Sequence, residues 1–139
     1  MSKWVLLLGG STGHGAAIAK KLAQDGYGII AFHFDRGEAK KIAEETIQEV
    51  NKLTDGRCHY FNINAASEEA IETYIPKIKE ITKGAKLKLL LHSIAFGTTT
   101  NFFGEKPVTQ RQMDMTVHVM GNSISVSYTH LRAHETNVD

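Results

Sequence analysis

The hydrophobic positions of this chain alternate between short continuous runs and longer periodic stripes. Trp4 to Leu8 is unbroken apolar sequence, as a strand covered on both faces requires. A glycine-rich stretch follows, Gly9 to Gly15. Ile18, Ala19 and Leu22 then share one face of a helix predicted over Ala16 to Gln24, which Gly26 ends. Gly28 to Phe34 predicts a second strand. From Glu38 to Leu53, the residues Ala39, Ile42, Ala43, Thr46, Ile47, Val50 and Leu53 recur at three- and four-residue spacing. That is one buried helical stripe, with Lys40, Glu44, Glu45 and Glu49 mostly outside it.

Asp55-Gly56 closes this helix, and Arg57 to Ile63 alternates as a third strand. Ser67 suits an N-cap, with Glu68 and Glu69 in the first turn where the helix dipole favours them. Ala70, Ile71, Tyr74, Ile75, Ile78 and Ile81 continue that helix. Pro76 inside it removes a backbone donor and predicts a kink. Lys86 to His92 predicts a fourth strand and Phe96 to Pro107 a loop. Thr109-Gln110-Arg111-Gln112 matches a capping box opening a last helix. Strands alternating with helices imply an α/β fold with a parallel sheet and right-handed crossovers.

Composition narrows the function classes. At 139 residues the chain suits one domain on the usual prior of roughly 100–200 residues. Its 42% hydrophobic content argues against disorder. With 16 basic and 15 acidic residues, no broad field calls for nucleic acid or an anionic membrane. The single Cys58 excludes an intrachain disulfide and a four-cysteine zinc site, and fits a reducing compartment. No apolar run reaches the ~18 residues of a membrane span. The opening residues lack the long apolar region and cleavage site of a signal peptide, so the expected location is the cytoplasm.

In an open α/β sheet, ligands bind beyond the carboxyl ends of the strands. The first strand-to-helix turn reads Gly9-Gly10-Ser11-Thr12-Gly13-His14-Gly15. Gly13 and Gly15 let the backbone approach a pyrophosphate and let the helix pack on the strand. The helix N-terminus offers free N–H groups to the anion, and Ser11 and Thr12 add hydroxyl donors. His14 fills shape at the ligand's edge. The turn follows a strand and opens a helix, the context a dinucleotide site requires. Asp35 and Arg36 follow the second strand. An acid there favours a free ribose 2′-hydroxyl and an Arg favours a 2′-phosphate. Both are present, so NADPH and NADH stay open, with a slight lean to NADPH.

The spacing Gly9-x-x-x-Gly13-x-Gly15 resembles the short-chain dehydrogenase/reductase family, with Leu8 where that family usually has Thr. His92-Ser93-Ile94-Ala95-Phe96 resembles the bacterial enoyl-acyl-carrier-protein reductase branch. The resemblance implies cofactor contact at Ser93 and at the Ile94 backbone, with Ala95 beside the substrate. Asn62-Ile63 match the family's Asp-Val pair around the adenine, Asn keeping an acceptor and losing the charge. By resemblance His33 occupies the usual position of the 2′ selector. The likeness covers Met1 to about Ile124. It implies a Rossmann-type doubly wound parallel sheet, truncated to about four strands. The implied activity is hydride transfer from NADPH or NADH to the β-carbon of an enoyl thioester. The implied partners are an acyl thioester or carbonyl substrate, acyl carrier protein as a candidate, and three further copies in a homotetramer. A ketone or alcohol dehydrogenase of the same family is the alternative, as is a non-catalytic NAD(P)-binding fragment. The Tyr and Lys that carry the family's chemistry have no equivalent here. No catalytic residue is therefore assigned, and the chain itself is expected to be inactive.

The segment Val126–Thr136, VSYTHLRAHET, resembles the in-frame translation of a transposon-end sequencing adapter. Residues 125–139 are accordingly expected to be an artefact outside the domain, and unstructured. On that reading the Tyr128/Arg132 and His130/His134 spacings carry no chemistry. His92 is read as strand-end packing, His118 as structural, and Cys58 as a small buried hydrophobe. Met113, Met115 and Met120 are read as apolar helix packing, with a subunit contact as one place for it. Scattered histidines without acidic or thiol partners make no metal site.

Overall fold

A computed structural model describes residues 3–94 and 102–135. The order is β1 (Trp4–Leu8), α1 (Gly13–Gln24), β2 (Gly28–His33), α2 (Glu38–Leu53), β3 (Cys58–Asn62), α3 (Glu68–Thr82), β4 (Leu87–His92), α4 (Gln110–Val117), a π-helical turn (His118–Asn122) and α5 (Ser123–Glu135). The four strands form one sheet in the order β3-β2-β1-β4, all pairings parallel. Strand order reverses at β1, so the carboxyl ends of β1, β2 and β4 frame the switch point.

Alternation along the strands sorts the core into two layers. Val5, Leu7, Ile29 and Ala31 face α1 and α2, meeting Ala19, Ala23 and Val50. Trp4, Leu6, Leu8, Ile30 and Phe32 face the other way, onto Ile71, Ile75 and Ile78 of α3. Covering both faces requires continuous apolar runs, and every residue of β1 and β2 is buried. This is the doubly wound parallel α/β sheet.

Local chemistry sets the helix starts. Ser67 Oγ accepts the Ala70 N–H at 3.3 Å. Thr109 and Gln112 form the reciprocal capping box, at 2.9 and 3.2 Å. α3 runs through Pro76.

Three expectations are corrected. α1 starts at Gly13 rather than Ala16, because the glycine turn itself winds into the first helical turn, and β2 ends at His33 rather than Phe34. The expected unstructured tail from residue 125 is helical as far as Glu135. It continues the capped α4 through the π turn and packs against α3. Leu131 reaches the core layer around Leu6 and Ile71. Met113, Met115 and Met120, on α4 and the π turn, are 41%, 49% and 42% exposed within this chain.

Candidate functional site

The carboxyl ends of the strands open on a cavity of about 810 Å³. Its floor is the glycine turn, through Gly9, Ser11, Thr12, Gly13 and His14. One wall is the end of β2 and its loop, Phe32 to Arg36. The chain after β3, Ile63 to Ala66, forms another. Ser93 and Ile94 close the side beyond β4, and Met115, His118 and Val119 cover it from α4 and the π turn.

The floor is locked to its neighbours through backbone. Gly9 donates its N–H to the Phe32 carbonyl at 2.8 Å, and Ser93 donates to the Leu8 carbonyl at 2.7 Å. Gly9 has φ +87°, and a Cβ there would strike the Ser93 carbonyl, so only glycine lets the turn approach β4 this closely. A Cβ on Gly15 would likewise run into the Gly9 carbonyl. Gly15 therefore seats α1 on the turn. Gly13, by contrast, meets nothing within 4 Å. Thr12 makes no side-chain capping bond, which leaves the first amides of α1 available to an anion. Beneath the turn, Tyr60 donates its hydroxyl to the Gly10 carbonyl at 2.8 Å. Burial, and then the nearby Cys58, push the Tyr60 pKa up.

Asp35 is the most connected polar group of the wall. Its Oδ2 accepts from Ser11 Oγ at 2.6 Å and from His33 Nδ1 at 2.8 Å. Asn62 grips the same residue's backbone, accepting the Asp35 N–H on Oδ1 and donating Nδ2–H to the Asp35 carbonyl, both at 3.1 Å. Arg36 lies outside this network, its guanidinium 4.7 Å from the centre of the Phe34 ring. On the far side, Ser123 donates to the Val119 carbonyl at 2.6 Å and sits 2.8 Å from His92 Nε2. One hydroxyl has one proton, so His92 carries hydrogen on Nε2 and donates. Burial lowers the His92 pKa, against a smaller raising effect of its own backbone hydrogen bond.

Of the residues singled out from sequence, Gly9, Ser11, Thr12, Gly13, His14, Asp35, Arg36, Ile63, Ser93 and Ile94 come together around this cavity. Gly15 lies under the turn, and Asn62 acts on the Asp35 backbone from outside the lining. Ala95 lies outside the described residues. His118, read as structural, lines the cavity. Sequence reasoning missed Phe32, Phe34, Asn64, Ala65 and Ala66. The last three were within reach, since they join the carboxyl end of β3 to the next helix. Among the described residues, no three His, Cys, Asp or Glu side chains could share a metal ion. Nor is any described helix long and apolar enough to cross a membrane.

A strand–glycine turn–helix unit on a parallel sheet, open at the switch point, is the geometry that binds a dinucleotide diphosphate. The sequence profile of the short chain dehydrogenase family matches residues 3–133. The chain belongs to that family. This short chain dehydrogenase matches no curated protein, but many solved structures share its fold. A short-chain dehydrogenase/reductase from Serratia marcescens superposes with a TM-score of 0.74 at 22% identity, over 95% of this chain and 50% of that one. An ElxO variant with NADPH bound gives 0.76 at 18%, over 99% and 52%. A betaketoacyl-ACP reductase from Bacteroides thetaiotaomicron gives 0.71 at 18%, over 96% and 53%. The chain spans about half the length of these structures.

Proposed function

We propose that this short chain dehydrogenase is the dinucleotide-binding half of a reductase that uses NADPH or NADH, acts on an enoyl thioester and works in the cytoplasm. The observation that carries the reading is the junction of Gly9 with Ser93. It puts the glycine turn and the HSIAF segment, through Ile94, on one cavity. The residues present fit such a cofactor. Gly13 leaves open space beside the free amides of α1, where a diphosphate is received with the Ser11 and Thr12 hydroxyls nearby. Ile63 to Ala66 offer a largely apolar rim for the adenine. Ser93 and Ile94 hold backbone beside the reactive ring, and Met115 and Val119 shield that end from water. When bound, the cofactor supplies the hydride. The chain's own part is to bind and orient.

The test uses the full gene product. It should oxidise NADPH or NADH with crotonyl thioester and not with acetoacetyl thioester. The opposite preference overturns the enoyl assignment in favour of a ketone reductase, the reading that the betaketoacyl-ACP reductase among the structural neighbours supports. The 139-residue chain should bind the reduced cofactor and turn over neither substrate.

A further inference from the structure

The Ser11 hydroxyl is already committed. It donates its one hydrogen to Asp35 Oδ2 at 2.6 Å. What Ser11 has left to donate is its backbone N–H. That group belongs to a residue only 4% exposed, and among the described residues it has no acceptor. Buried backbone donors are rarely left unpaired, so an acceptor from outside the chain is expected. Ser11 lines the cavity, where an oxygen of a bound molecule can reach it.

The peptide that carries this N–H is held from its other side. Its oxygen is the Gly10 carbonyl, which accepts the Tyr60 hydroxyl at 2.8 Å. The peptide is trans, so its C=O and N–H point in opposite directions. Tyr60 lies beneath the turn, packed with Val5, Leu7 and Ala31. Gly10 is absent from the cavity lining that its neighbours Gly9 and Ser11 share. A carbonyl drawn down onto Tyr60 thus turns the N–H up toward the cavity. The hold is needed, because Gly10 has no side chain to resist rotation of this peptide. It is also close: a Cβ on Gly10 would stand 3.3 Å from each of Tyr60 Oη, Ala31 Cβ and Leu7 Cδ1. Tyr60 is steadied in turn by the His33 ring, edge to face with centroids 5.8 Å apart. Burial, and then Cys58, raise its pKa, which keeps the hydroxyl a donor at neutral pH.

We infer that Tyr60 is a positioning residue for the bound nucleotide: by holding the Gly10 carbonyl down, its hydroxyl aims the Ser11 N–H into the cavity as a donor to a phosphate or ribose oxygen. The inference rests on the dinucleotide reading above. Tyr60 lies outside the cavity lining and acts only through the Gly10–Ser11 peptide. A residue of the edge strand, 50 positions along the chain from the turn, thereby sets a contact that it does not itself make.

The test is equilibrium titration of the 139-residue chain with NADH, followed by nicotinamide fluorescence, with ADP and adenosine as competitors. Tyr60→Phe keeps the ring and removes only the hydroxyl. It should bind NADH and ADP roughly three- to tenfold more weakly, the scale of one hydrogen bond. An equal loss for adenosine makes the acceptor a ribose hydroxyl, and an unchanged adenosine affinity makes it a phosphate oxygen. The Ser11 amide proton, followed by NMR, gives a readout that a merely structural tyrosine would not move. Saturating ADP should shift it downfield in wild type, and by a smaller amount in Tyr60→Phe. The wild-type shift tests the donor even if the variant fails to fold. ADP that binds wild type without moving the Ser11 amide overturns the inference and leaves the dinucleotide reading standing. So does a folded Tyr60→Phe that binds NADH and ADP as tightly as wild type. Failure of wild type to bind NADH or ADP overturns the dinucleotide reading itself.

Discussion

The two sides of β1 are built differently. Toward β2, every position of β1 and β2 is buried and both of their faces are covered, by α1 and α2 on one side and α3 on the other, while the edge strand β3 is half-buried. Toward β4, the strand leaves Lys88 and Leu89 exposed. Beyond it, α4 buries no residue at all. Among the described residues, Ser123 and the half-buried Leu131 join α5 to the rest, and α5 packs against α3. Local stability follows buried apolar contact. The glycine turn, Asp35 and Tyr60 therefore stand on the rigid side, and the cover supplied by Met115, His118 and Val119 stands on the loose one. The glycine-turn end of the cavity is preformed. At the opposite end, α4 contributes no buried residue among those described.

The contrast can be broken most directly with paired truncations. Leu6→Ala, at a site with no exposure, should cost about 2–5 kcal/mol. Leu89→Ala, on the same sheet but 40% exposed, should stay within about 0.5 kcal/mol. Urea unfolding of both variants measures the difference, and equal costs would show that the two sides are equally packed. Next in size is Gly15→Ala, where the new methyl meets the Gly9 carbonyl. It should cost about 1–3 kcal/mol and weaken cofactor binding in the same titration, since the turn and α1 must separate.

Ser123→Ala should cost about 1–2 kcal/mol by leaving the His92 N–H without its partner, and should raise amide exchange in α5 before the sheet is affected. The same contact gives a pH dependence. Burial holds the folded His92 pKa below its ordinary 6.5, so its contribution is complete above that value. Because the unfolded chain takes the proton first, stability falls as pH drops from 6.5 toward the folded value. Thermal melts of wild type should show this loss, and His92→Asn should flatten it. The smallest effect belongs to Met120→Gln, at an exposed position of the π turn, which should leave the melting curve within about 0.5 kcal/mol of wild type.

Much of this division was legible in the amino acids. The continuous run Trp4 to Leu8 could only be a strand covered on two faces, and the stripe from Glu38 to Leu53 returned as α2 with the same limits. The glycine turn was legible because its spacing encodes close backbone approach. The grip on Asp35 was not. It joins Ser11 to a residue 24 positions away, and Asn62 to one 27 away, and no local pattern reports such a contact. α5 was missed for a related reason. Its sequence carries no clean apolar stripe, and its helix follows from the capped start at Thr109 and from Leu131 meeting a distant core. That His118 would line the cavity was not legible, because helical position alone does not say which face a π turn will present.

The abutment of Gly9 against Ser93 has a consequence for inheritance and engineering. The glycine turn and the end of β4 are separated by most of the chain, yet neither has room to change shape alone. A turn transplanted from a relative would have to bring its own β4 terminus with it. A library that varies position 9 would be filtered first by the Ser93 backbone, before any substrate was offered. The two segments are best treated as one hereditary cassette, to be exchanged whole.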